Sequence, residues 1–84
     1  RVLNRRAFDE TLEVAMDAAR ASGEPLSLVM VDADHFKRIN DERGHVFGDR
    51  VLRTIAEVLT RQVKGRDLVA RYGGEEFAVL LPQT

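Results

Sequence analysis

The chain has 84 residues, 44% of them hydrophobic, with 13 Lys plus Arg against 14 Asp plus Glu and a formal charge of -1. That describes one small domain or a piece of one, with a thin core, and its balanced charge argues against binding nucleic acid or anionic lipid by bulk electrostatics. Zero cysteines exclude disulfide, thiolate-zinc and cysteine-nucleophile chemistry, and the longest apolar run, Leu28 to Val31, is far too short to span a membrane, so the composition is cytosolic in character.

Phe8, Leu12, Ala15, Met16 and Ala19 recur at spacings of three and four opposite Glu10, Glu13, Asp17 and Arg20, which predicts an amphipathic helix. Asn4 is its expected N-cap, and Ser22-Gly23, followed by Pro25, its stop. Leu26 to Val31 is short, rich in Val and Leu and apolar on successive positions, which predicts a central strand covered on both faces. It runs into Asp32-Ala33-Asp34, so two carboxylates stand at a strand's C-terminal end, where α/β sheets present ligand-binding groups. With Asp34 as N-cap, Phe36 and Ile39 predict one or two helical turns ending near Asn40-Asp41. A loop is expected from Glu42 to Gly48. Leu52, Ile55, Ala56, Leu59 and Val63 then mark a second long helix, with Asp49 at or near its start and Gly65 as its stop. Leu68 to Tyr72 and Glu75 to Leu81 alternate as two strands, and Gly73-Gly74 between them predicts a tight hairpin with a primed turn, Glu75 and Glu76 at its tip. Pro82-Gln83-Thr84 reads as a strand exit, so the fold is expected to be C-terminally incomplete.

The chemistry available is a carboxylate pair at a strand end, Asp32 and Asp34, and another at the hairpin, Glu75 and Glu76. If the hairpin lies beside the Leu26 strand, Asp32 and one Glu converge on a hard divalent cation, and Mg²⁺ implies a phosphate substrate. The competing reading is that hairpin tips are charged because they are wet and that Asp34 is only a cap. An EF-hand fails, because Phe36, Lys37 and Arg43 stand where an oxygen ligand, the loop glycine and the bidentate Glu belong. No Walker motif occurs. Arg5-Arg6 reads as a wet helix face, with phosphate or partner contact as the minority alternative; His35 reads as a solvated helix residue, and His45 as a packing or hydrogen-bonding one.

Arg71-Tyr72-Gly73-Gly74-Glu75-Glu76-Phe77 resembles the signature of the GGDEF domains, the diguanylate cyclases, in its GGEEF form. Asp32-Ala33-Asp34-His35-Phe36-Lys37-Arg38-Ile39-Asn40-Asp41 resembles the family's DxDxFKxxND segment. Gly44-His45-Val46-Phe47-Gly48-Asp49 resembles its GHxxGD segment, and Leu3-Asn4-Arg5-Arg6-Ala7-Phe8 the end of its NRRxF segment. The resemblance implies an α+β, palm-like domain related to polymerase and nucleotidyl cyclase palms, with a ferredoxin-like central antiparallel sheet and packed helices. It implies condensation of two GTP molecules to cyclic di-GMP, with release of pyrophosphate, across a two-fold homodimer.

By similarity, Asp32, the Ala33 carbonyl and Glu75 are the metal ligands, for Mg²⁺ or alternatively Mn²⁺, and Glu75 is the candidate for removing the 3′-hydroxyl proton. Asn40 and Asp49 resemble the guanine readers. Lys37 and the backbone around Phe36 would contact the phosphates, and Gly73 and Gly74 would let the hairpin approach nucleotide. Lys64-Gly65-Arg66-Asp67 stands where the family often carries an inhibitory product-binding RxxD. Because Lys64 lacks the guanidinium fork, full product inhibition through Lys64 and Asp67 is not expected.

The whole chain, residues 1–84, is thus read as the N-terminal and central part of such a domain. It is expected to follow an N-terminal sensory domain, to act in bacterial signal transduction in the cytoplasm, and to touch neither nucleic acid nor membrane. Catalysis by these 84 residues alone is not expected. The alternative function is a non-catalytic GGDEF-like module that senses GTP or scaffolds a dimer.

Overall fold

The computed structural model describes residues 2–33 and 35–84. Helix α1 spans Arg5–Ser22, strand β1 Leu26–Asp32, helix α2 Phe36–Arg43, helix α3 His45–Gln62, strand β2 Leu68–Arg71 and strand β3 Glu76–Pro82. The strands form one antiparallel sheet in the order β1-β3-β2. Leu3 bridges to Ala70 on the outer edge of β2: its N–H donates to the Val69 carbonyl and its carbonyl accepts from Arg71, both at 2.9 Å.

Two apolar layers sandwich the sheet. Because side chains alternate along a strand, Phe77, Val79, Val69 and Leu81 meet Leu52, Ile55, Ala56, Leu59 and Val63, the stripe expected from the second helical period. On the opposite face, Ala70, Ala78, Leu80 and Leu68 pack against Phe8, Leu12 and Ala15 of α1. Met16, expected on the same buried stripe, is 40% exposed. Phe8, Phe77 and Leu80 are the largest fully buried side chains, and each contributes about 1.5–3 kcal/mol relative to exposure.

The ends of α1 follow the sequence reading. Asn4 Oδ1 accepts from Ala7 N–H at 2.8 Å, and Gly23, at φ 74, donates its N–H to the Ala19 carbonyl. Elsewhere the structure departs from it. Within these 84 residues β1 lies at the edge of the sheet, with Leu28, Val29 and Met30 exposed by 47%, 44% and 48%, and β3 lies between β1 and β2, where four consecutive residues, Phe77 to Leu80, are buried. An apolar run alone does not decide which strand is central, because pairing does. The loop expected from Glu42 to Gly48 is helix on both sides of a single hinge residue. Gly44 has φ 85, a conformation suited to glycine, and donates its N–H to Asn40 O at 2.8 Å. Helix α2 continues to Arg43 with an Arg38–Glu42 pair at 3.3 Å, and α3 begins at His45, so Asp49 lies one turn inside it.

The N-cap position of α2 is His35, at φ 59, without a side-chain capping bond; the expected cap, Asp34, lies outside the described residues. Helix α3 ends at Gln62, before Gly65, which adopts φ 62 in the following turn. The hairpin is not primed. Neither Gly73 nor Gly74 has positive φ, and four residues, Tyr72 to Glu75, separate the strands. The Glu76 carbonyl accepts from both Tyr72 and Gly73, at 2.8 and 3.2 Å, so Glu76 belongs to β3 rather than to the tip.

Candidate functional site

The antiparallel pairing of β1 with β3 sets Asp32 opposite Glu76, and Ala33 N–H donates to the Glu75 carbonyl at 3.0 Å. The condition set by the sequence is therefore met, since the hairpin does lie beside the Leu26 strand. Helix α2 begins at Phe36, whose N–H donates to the Ala33 carbonyl at 3.3 Å. These contacts close an open cavity of about 550 Å³ lined by Asp32, Phe36, Lys37, Asn40, Gly74, Glu75 and Glu76. Residues far apart in sequence, drawn from two strand ends, a loop and a helix, share one cleft.

Other expected site residues are not part of that lining. Asp49 borders a separate cavity of about 430 Å³ with Val2, Leu52, Arg53, Ala56, Arg71 and Phe77. Gly73 does not line the first cavity; a Cβ there would come 2.5 Å from Glu76 Oε1, the end of a flexible side chain. A Cβ on Gly74 would meet nothing within 4 Å, so the fold itself does not demand glycine at that position. Lys64 and Asp67 form a self-contained turn, in which Asp67 Oδ2 accepts from Lys64 N–H at 3.2 Å and Asp67 N–H donates to the Lys64 carbonyl at 3.0 Å. Asp67 thus has a local structural task.

Three features of the site escaped the sequence reading. Arg71 Nη2 donates to the Gly74 carbonyl at 2.6 Å and braces the hairpin loop. Arg5 is more than a wet face, because its guanidinium lies 4.2 Å from the centre of the Tyr72 ring, which also packs edge-on against Phe8 at 5.8 Å. The start of α1 is thereby tied to the residue preceding Gly73, whereas Arg6 only pairs with Glu10 across an exposed helix turn. Third, Asn40 Oδ1 is buried with no hydrogen-bond partner among the described residues, against Gly48. The Arg71 and Tyr72 signals were adjacent to Gly73 in sequence; the Asn40–Gly48 contact crosses a helix junction and has no periodic signature.

Among the described residues no three His, Cys, Asp or Glu side chains converge on one point. The cleft lining instead holds the carboxylates of Asp32, Glu75 and Glu76 without gathering three such groups at one point, and the nearby Ala33 carbonyl accepts from Phe36 N–H. That suits Mg²⁺, which binds through one or two carboxylates and fills its remaining positions with water and substrate phosphate.

A helix-flanked antiparallel sheet that presents oxygen donors where β1 ends and β3 begins defines an α+β, palm-like domain. The family model described as "Diguanylate cyclase, GGDEF domain" matches residues 1–84, and the chain belongs to that family. It is 49% identical over 81 residues to the diguanylate cyclase DgcP of Pseudomonas aeruginosa, an alignment covering 96% of this chain and 12% of the relative. It is 41% identical over 81 residues to the cyclic di-GMP phosphodiesterase NbdA of the same organism, covering 96% of this chain and 10% of the relative. Its structure is similar to the GGDEF domain of DgcB from Caulobacter crescentus in complex with c-di-GMP, with a TM-score of 0.96 and 43% identity over 99% of this chain and 47% of that one. The chain therefore spans about half of that solved domain and a tenth or so of these two curated relatives.

Proposed function

We propose that this chain forms the metal- and nucleotide-holding part of a diguanylate cyclase, which joins two GTP molecules into cyclic di-GMP. The observation that carries the reading is the single cleft shared by Asp32, Glu75, Phe36, Lys37 and Asn40. In each of two equivalent steps, a 3′-hydroxyl oxygen forms a bond to the α-phosphorus of the other GTP. The bond from that phosphorus to the pyrophosphate oxygen breaks, and the hydroxyl proton leaves. Such transfers depend on positioning and on neutralising charge rather than on covalent help from the protein.

In this assignment Asp32, the Ala33 carbonyl and Glu75 hold Mg²⁺, or Mn²⁺, which when bound draws charge from the phosphate oxygens. Glu75 also accepts the 3′-hydroxyl proton. Lys37 and the Phe36 backbone hold phosphate, helped by the start of α2, and the absent side chains of Gly73 and Gly74 leave room for nucleotide. Asn40 and Asp49 read guanine, the Asp accepting from N1–H and the 2-amino group, an edge that adenine lacks. The two GTP molecules sit on two copies of the domain in a homodimer controlled by a preceding sensory domain in the cytoplasm. No helix among the described residues is long and apolar enough to cross a membrane.

A second reading, a module that binds GTP or holds a dimer without turnover, is favoured by Asp49 opening onto a different cavity from Asn40. The deciding assay incubates the chain, both as these 84 residues and within its full-length gene product, with GTP or ATP and Mg²⁺. Cyclic di-GMP from GTP alone in the full-length protein is the expected result. GTP binding by a folded dimer with no product supports the module instead.

Feedback through Lys64 and Asp67 is expected to be weak, since a lysine offers a point charge where a guanidinium offers a bidentate fork. Added cyclic di-GMP should leave the initial rate nearly unchanged in the parent and depress it in Lys64→Arg. Equal inhibition of both proteins would remove Lys64 from this role.

A further inference from the structure

We propose that Gly48 is a positioning residue whose missing side chain forms the seat for the Asn40 amide, so that it sets nucleotide affinity without touching nucleotide. The inference rests on the assignment of Asn40 to GTP binding. Gly48 is one of two buried residues in α3, and a methyl group built there would overlap Asn40 Oδ1 outright. It would also stand 2.9 Å from Asn40 Cγ and 3.3 Å from Phe36 Cζ. Asn40 and Phe36 both line the cleft that holds Asp32 and Glu75.

The surrounding backbone closes on the same residue. Asn40 C=O accepts from Gly44 N–H at 2.8 Å, and Gly44 C=O accepts from Gly48 N–H at 3.1 Å, so the α2–α3 junction wraps around Asn40 from carbonyl to side chain. Burying an amide oxygen without a partner is unfavourable, and among the described residues Asn40 Oδ1 has none and rests against Gly48. A seat of this kind holds the side chain in one place on the cavity wall before ligand arrives, which lowers the ordering cost of binding.

Sign distinguishes a seat from ordinary packing. Within a helix, Gly→Ala ordinarily stabilises, because alanine loses less backbone entropy and has the higher helix propensity. At position 48 the added methyl must displace Asn40, so Gly48→Ala is expected to lower the melting temperature. In an Asn40→Ala background the overlap with the amide is gone and only the 3.3 Å approach to the rim of the Phe36 ring remains, which a small ring shift relieves, so the same substitution is expected to raise it.

The test measures thermal unfolding and GTP affinity for the parent, Gly48→Ala, Asn40→Ala and the double variant, all in the full-length protein. GTP binding should weaken about tenfold in Gly48→Ala, the worth of one well-placed hydrogen bond. The double variant should bind no worse than Asn40→Ala alone. Should Gly48→Ala fail to fold, a folded double variant supports the seat. A loss of melting temperature of the same size in both backgrounds, or parental GTP affinity in a folded Gly48→Ala, overturns it. If the parent itself binds no GTP, the guanine assignment fails, and the opposite signs of the two melting shifts still decide whether Gly48 seats Asn40.

Discussion

Glu75→Gln is expected to reduce cyclic di-GMP formation by about 10²–10⁴-fold, the range in which a positioned acid or base contributes to catalysis, while leaving the melting temperature unchanged. The substitution is nearly isosteric and keeps the backbone that holds the loop, since it is the Glu75 carbonyl, and not its side chain, that accepts from Ala33 N–H. What it removes is one negative charge beside Asp32 and the capacity to accept a proton. Metal affinity should fall with activity, because a neutral amide oxygen is a weaker ligand for a hard cation than a carboxylate. A titration of activity against Mg²⁺ separates the two roles. If high Mg²⁺ restores the rate, Glu75 acts as a ligand; if the rate stays low at saturating metal, the proton role stands. Parental turnover at ordinary Mg²⁺ would remove Glu75 from the site altogether.

The same residue shows how far the sequence could be read. Placing Glu75 near Asp32 required only that the last strand pair with the Leu26 strand, and the alternation of Phe77, Val79 and Leu81 made that strand visible. Helix α1 was visible for the same reason, with Asn4 and Gly23 marking both ends by local chemistry. Properties set between elements were not visible. The order β1-β3-β2 within these residues depends on β3 pairing on both sides, which Leu28, Val29 and Met30 do not encode. Glu42, Arg43 and His45 are polar and flank a glycine, so the segment reads as loop, yet Gly44 at φ 85 lets two helices meet with that one residue between them.

The Gly73-Gly74 pair illustrates a different failure. Two glycines between strands suggest a two-residue turn, but Arg71 and Glu76 are the strand ends and the intervening loop is four residues long. Glycine here is not serving left-handed backbone. A Cβ at Gly74 would meet nothing within 4 Å, so neither positive φ nor close packing calls for glycine there, and only the folded loop shows this.

Phe77→Ala is expected to destabilise the fold by about 3–5 kcal/mol, the usual cost of removing a buried aromatic ring and leaving a cavity. At roughly 0.05–0.15 kcal/mol per residue, a domain of this size holds about 4–13 kcal/mol in total. The substitution is therefore expected to remove a large share of the stability, and all of it at the low end of that range. Phe77 is 1% exposed and sits between Val69, Val79, Ala33 and Leu52. It also follows Glu76 directly and pairs with Val31, so its loss loosens the register that sets Asp32 opposite Glu76. Val14→Ala is the control: the side chain removed is also apolar but lies 69% exposed on α1, where substitutions usually change stability by no more than about 0.5 kcal/mol. Urea unfolding followed by circular dichroism compares the two. Equal midpoints would mean that β3 is not the centre of the core, and with it would go the argument that β3 holds Glu75 and Glu76 at the cleft.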